Sequence, residues 1–295
     1  MRSGWRVVTD LGLGVLRARG ADAASFLQGQ LSNDTTQLQR GQWQLSGYHT
    51  PQGRTIALLR LTALAPDDLL ALLPLELLPV VVGRLKRYVL RAKVQLTDDT
   101  LQWQILGFQG EAPALPAGAV SAPYGASRQL ALIPMSAGPT AAAASPGTRE
   151  DWLACDIREG LPQIYLATSE DFVAQMLNLD VNDGIALDKG CYTGQEIIAR
   201  AHYRGHVKRR MQHFVSEVPC TLAPGQTGTL SDGRSFKVVE AVPVAAGRSE
   251  FLAVANPPPG AAAAAHETQA PADTATVAII TARQLTLPYE LPTDR

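Results

Sequence analysis

A thiol and an ammonium two residues apart, set among glycines, form the strongest chemical feature of the sequence: Lys189-Gly190-Cys191-Tyr192-Thr193-Gly194-Gln195-Glu196. Thr193 followed three residues later by Glu196 fits a capping box and marks a helix start. The free N–H groups of a helix start and a nearby ammonium both favour thiolate over thiol. Cys191 is therefore a candidate reactive cysteine, with Lys189 lowering its pKa or orienting an anion. The same string also suits a small, inert residue in a tight glycine turn, because most cysteines are buried and unreactive.

A second feature follows directly. Arg200, Arg204, Lys208, Arg209 and Arg210, interleaved with His202, Tyr203 and His206, read as the dense positive cluster of the chain. Closely spaced guanidinium groups match carboxylates and phosphates, so a phosphate, a polyglutamate tail or RNA are candidate ligands. Five charges on a nearly neutral protein leave a weak footprint for RNA, which favours a solvated face at a domain junction. Cys191, His202 and His206 match no zinc spacing, and a Cys191–His202 pair lacks the local signature of a cysteine hydrolase. Leu11-Gly12-Leu13-Gly14 is not a dinucleotide-binding glycine pattern.

The elements that must position these residues are legible in outline. An opening strand-like run spans residues 7–16, and Asp22 can cap a helix over residues 22–31 whose stripe is Phe26, Leu27 and Leu31. Residues 43–48 and 55–61 read as strands joined at the Pro51-Gln52-Gly53 turn. A strand at 69–73 precedes a helix at 75–90, and short strands follow at 93–96, 102–108 and 129–133. Residues 112–120, 137–147 and 257–272 are rich in alanine, proline and glycine and read as surface loops or linkers. Thr148-Arg149-Glu150-Asp151 is a helix start with Trp152, Leu153 and Ile157 on the buried side. From residue 212 the texture turns to short β runs between glycine and proline turns, a small barrel or sandwich. The domain division expected is thus 1–212 and 213–295.

With 295 residues, 46% of them hydrophobic, the chain can bury a sizeable core, and its net charge of −1 draws it to neither nucleic acid nor an anionic membrane. The three cysteines, Cys155, Cys191 and Cys220, form neither a disulfide framework nor a metal knuckle. A reducing, cytoplasmic setting is expected, with no signal peptide and no membrane span.

The cysteine string resembles the signature of the YgfZ family, folate-binding proteins related to the T-protein of glycine cleavage. The likeness continues through Met176-Leu177-Asn178-Leu179-Asp180 before it and Ile197-Ile198-Ala199-Arg200-Ala201-His202-Tyr203-Arg204-Gly205 after it. Residues 26–34, the Pro51-Gln52-Gly53-Arg54 turn and Leu287-Pro288-Tyr289-Glu290-Leu291 resemble further family segments, the last of them its final strand. The resemblance implies an α+β fold with two intertwined T-protein-like subdomains around a central channel, plus a C-terminal antiparallel β-barrel. It implies tetrahydrofolate, or a folate derivative, as ligand and no permanently bound metal.

Trp152 matches the family tryptophan that contacts folate, where its plane stacks on the ligand or simply fills a helix core. Gln195 and Glu196 are expected to organise the turn beside the ligand, and Arg200 to hold the glutamate tail. The implied role is accessory: supporting iron–sulfur cluster assembly or repair, and through it tRNA-modifying enzymes, with Cys191 as the working thiol and Lys189 beside it. Partners would be iron–sulfur enzymes or assembly factors, not RNA directly and not a membrane. Where the T-protein carries an aspartate pair this chain has Ala57 and Leu58, which disfavours aminomethyl transfer. A one-carbon transferase and an interaction protein with a structural cysteine turn are the alternatives. Two further departures bear on folate: Leu13 replaces a family tryptophan, and Ile157-Arg158-Glu159-Gly160 displaces a carboxylate suited to the pterin.

Overall fold

The computed structural model of the chain describes residues 6–110, 113–138, 145–204, 207–257 and 278–292. In chain order its first half runs β1 (Arg6–Val8), β2 (Leu13–Arg19), α1 (Ala23–Gln28), β3 (Gln44–His49), β4 (Thr55–Ala65), β5 (Asp68–Pro74), α2 (Leu78–Lys86) and β6 (Gln95–Asp98). There follow β7 (Trp103–Gln109), β8 (Val120–Tyr124), β9 (Arg128–Pro134), β10 (Ser145–Pro146), α3 (Arg149–Glu159) and α4 (Gln195–Arg204). The last third holds β11 (Arg210–Ser216), β12 (Thr227–Leu230), β13 (Ser235–Val244), β14 (Arg248–Ala255), β15 (Ala278–Ile280) and β16 (Ala282–Leu285).

Two five-stranded sheets, ordered β10-β1-β7-β9-β8 and β3-β4-β5-β2-β6, make up the first two thirds. The chain starts in one sheet with β1, builds the whole of the other with β2 to β6, then returns, which is the intertwining the resemblance implies. Continuous apolar runs in β4 and β5 reflect a sheet covered on both faces. Successive side chains of β5 serve two cores, with Leu69, Ala71 and Leu73 in one and Leu70 and Leu72 in the other.

The third sheet runs β15-β12-β13-β14-β11-β16 and begins at Arg210. Its outer strands β15 and β16 are separated in sequence by Thr281 alone, so the sheet curls until its edges nearly meet. The barrel is not wholly antiparallel, because β12 and β15 pair in parallel.

Local departures from the sequence reading have local causes. The opening run breaks into β1 and β2 at Gly12, whose φ is +63° and whose missing Cβ leaves room for the Arg149 guanidinium. Asp22 does not cap α1; its carboxylate accepts the Lys93 N–H at 2.6 Å. The helix expected to run to residue 90 ends at Lys86. Residues 287–291 form no strand: Tyr289 Oη donates to the Gly160 carbonyl at 2.8 Å, strapping the chain across the end of α3. Most of the 257–272 stretch, half of the 137–147 stretch and residues 276–277, where one of the short β runs expected after residue 212 starts, lie outside the described residues. Among the described residues no helix is long and apolar enough to cross a membrane.

Candidate functional site

Helix α3 is set by its own ends. Thr148 Oγ1 accepts the Asp151 N–H at 3.1 Å and the Asp151 carboxylate accepts the Thr148 N–H at 3.2 Å, while Gly160 closes the helix at φ +67°. That phase puts Trp152 and Asp156, four residues apart, on one side of a narrow cleft. It is open to solvent, holds a cavity of only about 20 Å³, room for about one water, and is also lined by Leu13, Arg60, Tyr124, Gln163 and Tyr165.

Trp152 is 4% exposed and its ring is already occupied. Tyr124 stacks on it with centroids 5.2 Å apart, and the Arg128 guanidinium lies 4.5 Å from its centroid. Gly107 of β7 comes so close that a Cβ there would meet the indole at 2.5 Å. The indole is a wall of the cleft, and the expected open stacking face is absent.

The carboxylate in the cleft is Asp156, which the sequence reading passed over. Arg158 forks instead onto Glu250 of β14 at 2.8–3.2 Å, and Glu159 pairs with Arg128 at 2.9 Å. Asp156 Oδ1 is ion-paired with Arg128 Nη2 at 2.8 Å, although the contact is not aligned as a hydrogen bond. Burial pushes the Asp156 carboxyl pKa up, against the opposing pull of Arg128 and Arg60. Behind the cleft, Tyr165 Oη donates to the Glu240 carboxylate of β13, and burial raises Glu240 to about 7. Neither residue had a local signal: Glu240 reaches this place through a β-bulge, discussed below.

The cysteine string folds elsewhere. Lys189 Nζ donates to three main-chain carbonyls, those of Gln28 (2.8 Å), Leu31 (2.7 Å) and Asn33 (2.8 Å), at and after the end of α1. It also lies 5.0 Å from the Tyr192 ring centroid. Burial lowers its pKa to about 8, with Asp34 pulling the other way. All three ammonium protons are thus engaged, and none is left for a hydrogen bond to a thiolate. What remains to Lys189 is its charge and its hold on the turn. Cys191, between Lys189 and Tyr192, is exposed and makes no hydrogen bond among the described residues. Ser32 Oγ donating to the Gly184 carbonyl (2.6 Å) and Asn33 Nδ2 donating to the Asp183 carbonyl (2.6 Å) fasten the loop before it.

After Cys191 the chain turns at Gly194, φ +84°, where a Cβ would meet the Thr50 carbonyl at 2.6 Å. The expected Thr193–Glu196 capping box does not form: α4 begins only at Gln195, and Glu196 pairs with Arg200 at 3.1 Å on an exposed surface. His49, next to Gly194, is buried and held neutral with a pKa near 3, so it adds no positive charge at neutral pH.

The sequence therefore named residues of two different places. Trp152 lines the cleft, whereas Cys191, Lys189, Gln195, Glu196 and Arg200 do not. The basic stretch also disperses: Arg210 forks onto Asp180 at 2.8 and 2.9 Å, Arg209 is half-buried, and His206 lies outside the described residues. Among the described residues no group of three or more His, Cys, Asp or Glu could hold a metal ion.

Comparison with known proteins fits this geometry. The aminomethyltransferase T of the glycine cleavage system from Bartonella henselae matches with a TM-score of 0.67 over 86% of this chain and 79% of that one, at 14% identity. The fold is therefore T-protein-like. An uncharacterized protein of Haemophilus influenzae is 33% identical over 205 residues, covering 68% of this chain and 70% of the other. A tRNA-modifying protein YgfZ from Edwardsiella ictaluri is 33% identical over 221 residues (66% of each chain), and one from an Enterobacter species is 28% identical over 265 residues (80% and 81%). No protein-family model matches the chain. The chain belongs to the YgfZ family.

Proposed function

We propose that this protein is a folate-binding accessory factor for iron–sulfur cluster assembly or repair that supports tRNA-modifying enzymes. Its work is done at two places, a folate cleft at Asp156 and a displayed thiol at Cys191. The observation that carries the folate half is the buried Asp156 carboxylate in a cleft walled by Trp152, held by Arg128 as an ion pair without an aligned hydrogen bond to Oδ1. A pterin presents ring and amino N–H donors, and a buried carboxylate with acceptor capacity to spare is a partner for such an edge. The acceptor chemistry fits a pterin edge, whereas the cleft as it stands has room for about one water, so a ring enters only with displacement of its lining.

Ala57 and Leu58 are fully buried in β4, so neither an acid nor a base stands where aminomethyl transfer would need one. Folate chemistry of that kind is not part of the proposal. The tRNA-related half rests on the printed names of the curated relatives. Cys191 is assigned the working role because its sulfur is exposed on a turn held from beneath, where a partner protein can reach it.

The test is complementation in bacteria lacking their own family member, read as methylthiolation of tRNA. The parent chain is expected to restore the modification and Cys191→Ala to lose it. Equal restoration by both would demote Cys191 to a structural residue. Failure of both, with soluble protein present, would overturn the accessory role.

A further inference from the structure

The geometry points to a nucleic-acid surface that the basic stretch near α4 does not provide: residues 84–93 form a docking site for the phosphate backbone of a structured RNA. Five of the chain's 26 lysines and arginines fall in these ten residues (Arg84, Lys86, Arg87, Arg91 and Lys93), and no Asp or Glu occurs between Glu76 and Asp98. Cations in the last turn of a helix complement its dipole, which accounts for Arg84 and Lys86 in α2. It does not account for Arg87, Arg91 and Lys93, which lie past the helix.

The ion pairs make the same distinction. Arg84 meets Glu170 at 2.6 Å, but Lys86, Arg87, Arg91 and Lys93 have no acidic partner among the described residues, and all four are exposed. Near α4, by contrast, Arg200 and Arg210 are already paired with Glu196 and Asp180. The backbone that carries the free charges is fixed. Leu85 is fully buried, the Tyr88 and Val89 N–H groups close turns onto Leu85 and Lys86, and Lys93 is bonded through both its N–H and its carbonyl to Asp22. Fixed cations lose less entropy on meeting a regular array of phosphates than cations on a mobile loop.

Two exposed apolar side chains sit among the charges, Tyr88 at 51% and Leu90 at 87%. One tyrosine ring beside several cations matches RNA, where a base stacks on the ring while phosphates meet the charges. A membrane helix would need a broader apolar face than these two residues supply.

An unmodified tRNA transcript titrated into the full chain, read by fluorescence anisotropy at 50 and 200 mM KCl, tests the assignment. Four phosphate contacts at about 0.7 to 0.9 ions each predict that binding weakens about 50- to 150-fold across that range. In the triple variant Lys86→Gln, Arg87→Gln, Arg91→Gln, affinity at 50 mM should fall at least about tenfold and the salt dependence should nearly vanish. Tyr88→Ala should weaken binding about tenfold with the salt dependence intact. Arg200→Gln with Lys208→Gln should change neither. The parent's failure to bind tRNA at 50 mM KCl would overturn the assignment. So would binding indifferent to the triple variant while its melting temperature is unchanged, or capture by vesicles of anionic phospholipid in place of RNA. None of these outcomes bears on folate binding or on Cys191, so the two proposals fail separately.

Discussion

The Asp156 cleft and the Cys191 turn solve opposite problems with the same kind of material. In the cleft, charged side chains are buried against one another, and Asp156 Oδ1 is met by charge without an aligned hydrogen bond. In the turn the buried charge, Lys189, is wholly satisfied by main-chain carbonyls, and the neighbouring thiol is put into solvent. In the cleft the carboxylate keeps acceptor capacity that a ligand can use, and in the turn the ammonium is spent on holding a backbone. The difference separates recognition from reactivity within one chain.

The sharpest way to break that contrast is at Lys189. Lys189→Met keeps much of the stem but strips one buried and two part-buried carbonyls of their donor, so unfolding free energy should drop by about 3 kcal/mol or more in urea titrations. A loss below about 1 kcal/mol would mean that the ammonium does not hold the turn. Asp156→Asn should act on ligand rather than fold. Tetrahydrofolate affinity measured calorimetrically should fall about 10- to 100-fold, for a lost charged acceptor worth about 1.5–3 kcal/mol. Stability should change by less than about 1 kcal/mol, because Arg128 keeps Glu159. Unchanged affinity would remove Asp156 from the site.

The smallest effect refines the comparison by pH, through two buried glutamates that both face α3 from the C-terminal sheet. Burial raises Glu240 to about 7, so the folded state holds a proton that the unfolded chain releases near 4.5. Its contribution is present below about pH 4.5 and is lost as pH rises through about 7. Glu250, against the pull of burial, is drawn down to about 2 by hydrogen bonds from His213 and Arg158. Its contribution is present above about pH 4.5 and is lost as pH falls toward 2. Glu240→Gln should therefore flatten a decline in stability between pH 4.5 and 7 of at most about 1.4 kcal/mol per pH unit. Glu250→Gln should leave that window alone and flatten the acid limb. Denaturant midpoints at pH 3, 5 and 7 distinguish the two, and identical profiles for both variants would refute the assignment.

What the sequence disclosed was what is encoded locally. The Thr148–Asp151 cap, the Gly53 turn and the glycine-flanked cysteine string depend on residues a few positions apart. Lys189 was singled out, but its partners lie more than 150 positions upstream, so its task as a clamp was invisible. Glu240 shows another limit. Phe236 and Val238 face the barrel's own core; strict alternation would turn residues 240 and 242 the same way. The extra residue Val239, opposite the Val238–Glu240 step of β14 pairing, shifts the phase, so that Val242 joins the main core and Glu240 meets Tyr165. A bulge of one residue leaves no mark in composition. The segment 84–93 was hidden for another reason: read as part of a long helix, its charges passed for an ordinary solvated face.

The near-closure of the C-terminal sheet has a bearing on how the protein is made. During synthesis β11 to β14 emerge first, and β11 and β12 then stand as open edges, each a row of unpaired N–H and carbonyl groups. Among the described residues, the eight at 278–285, carrying both β15 and β16, cover those edges, and they do so together because Thr281 alone separates the two strands. A ribosome stalled before residue 278 therefore carries a four-stranded sheet with two sticky flanks, a natural client for chaperones.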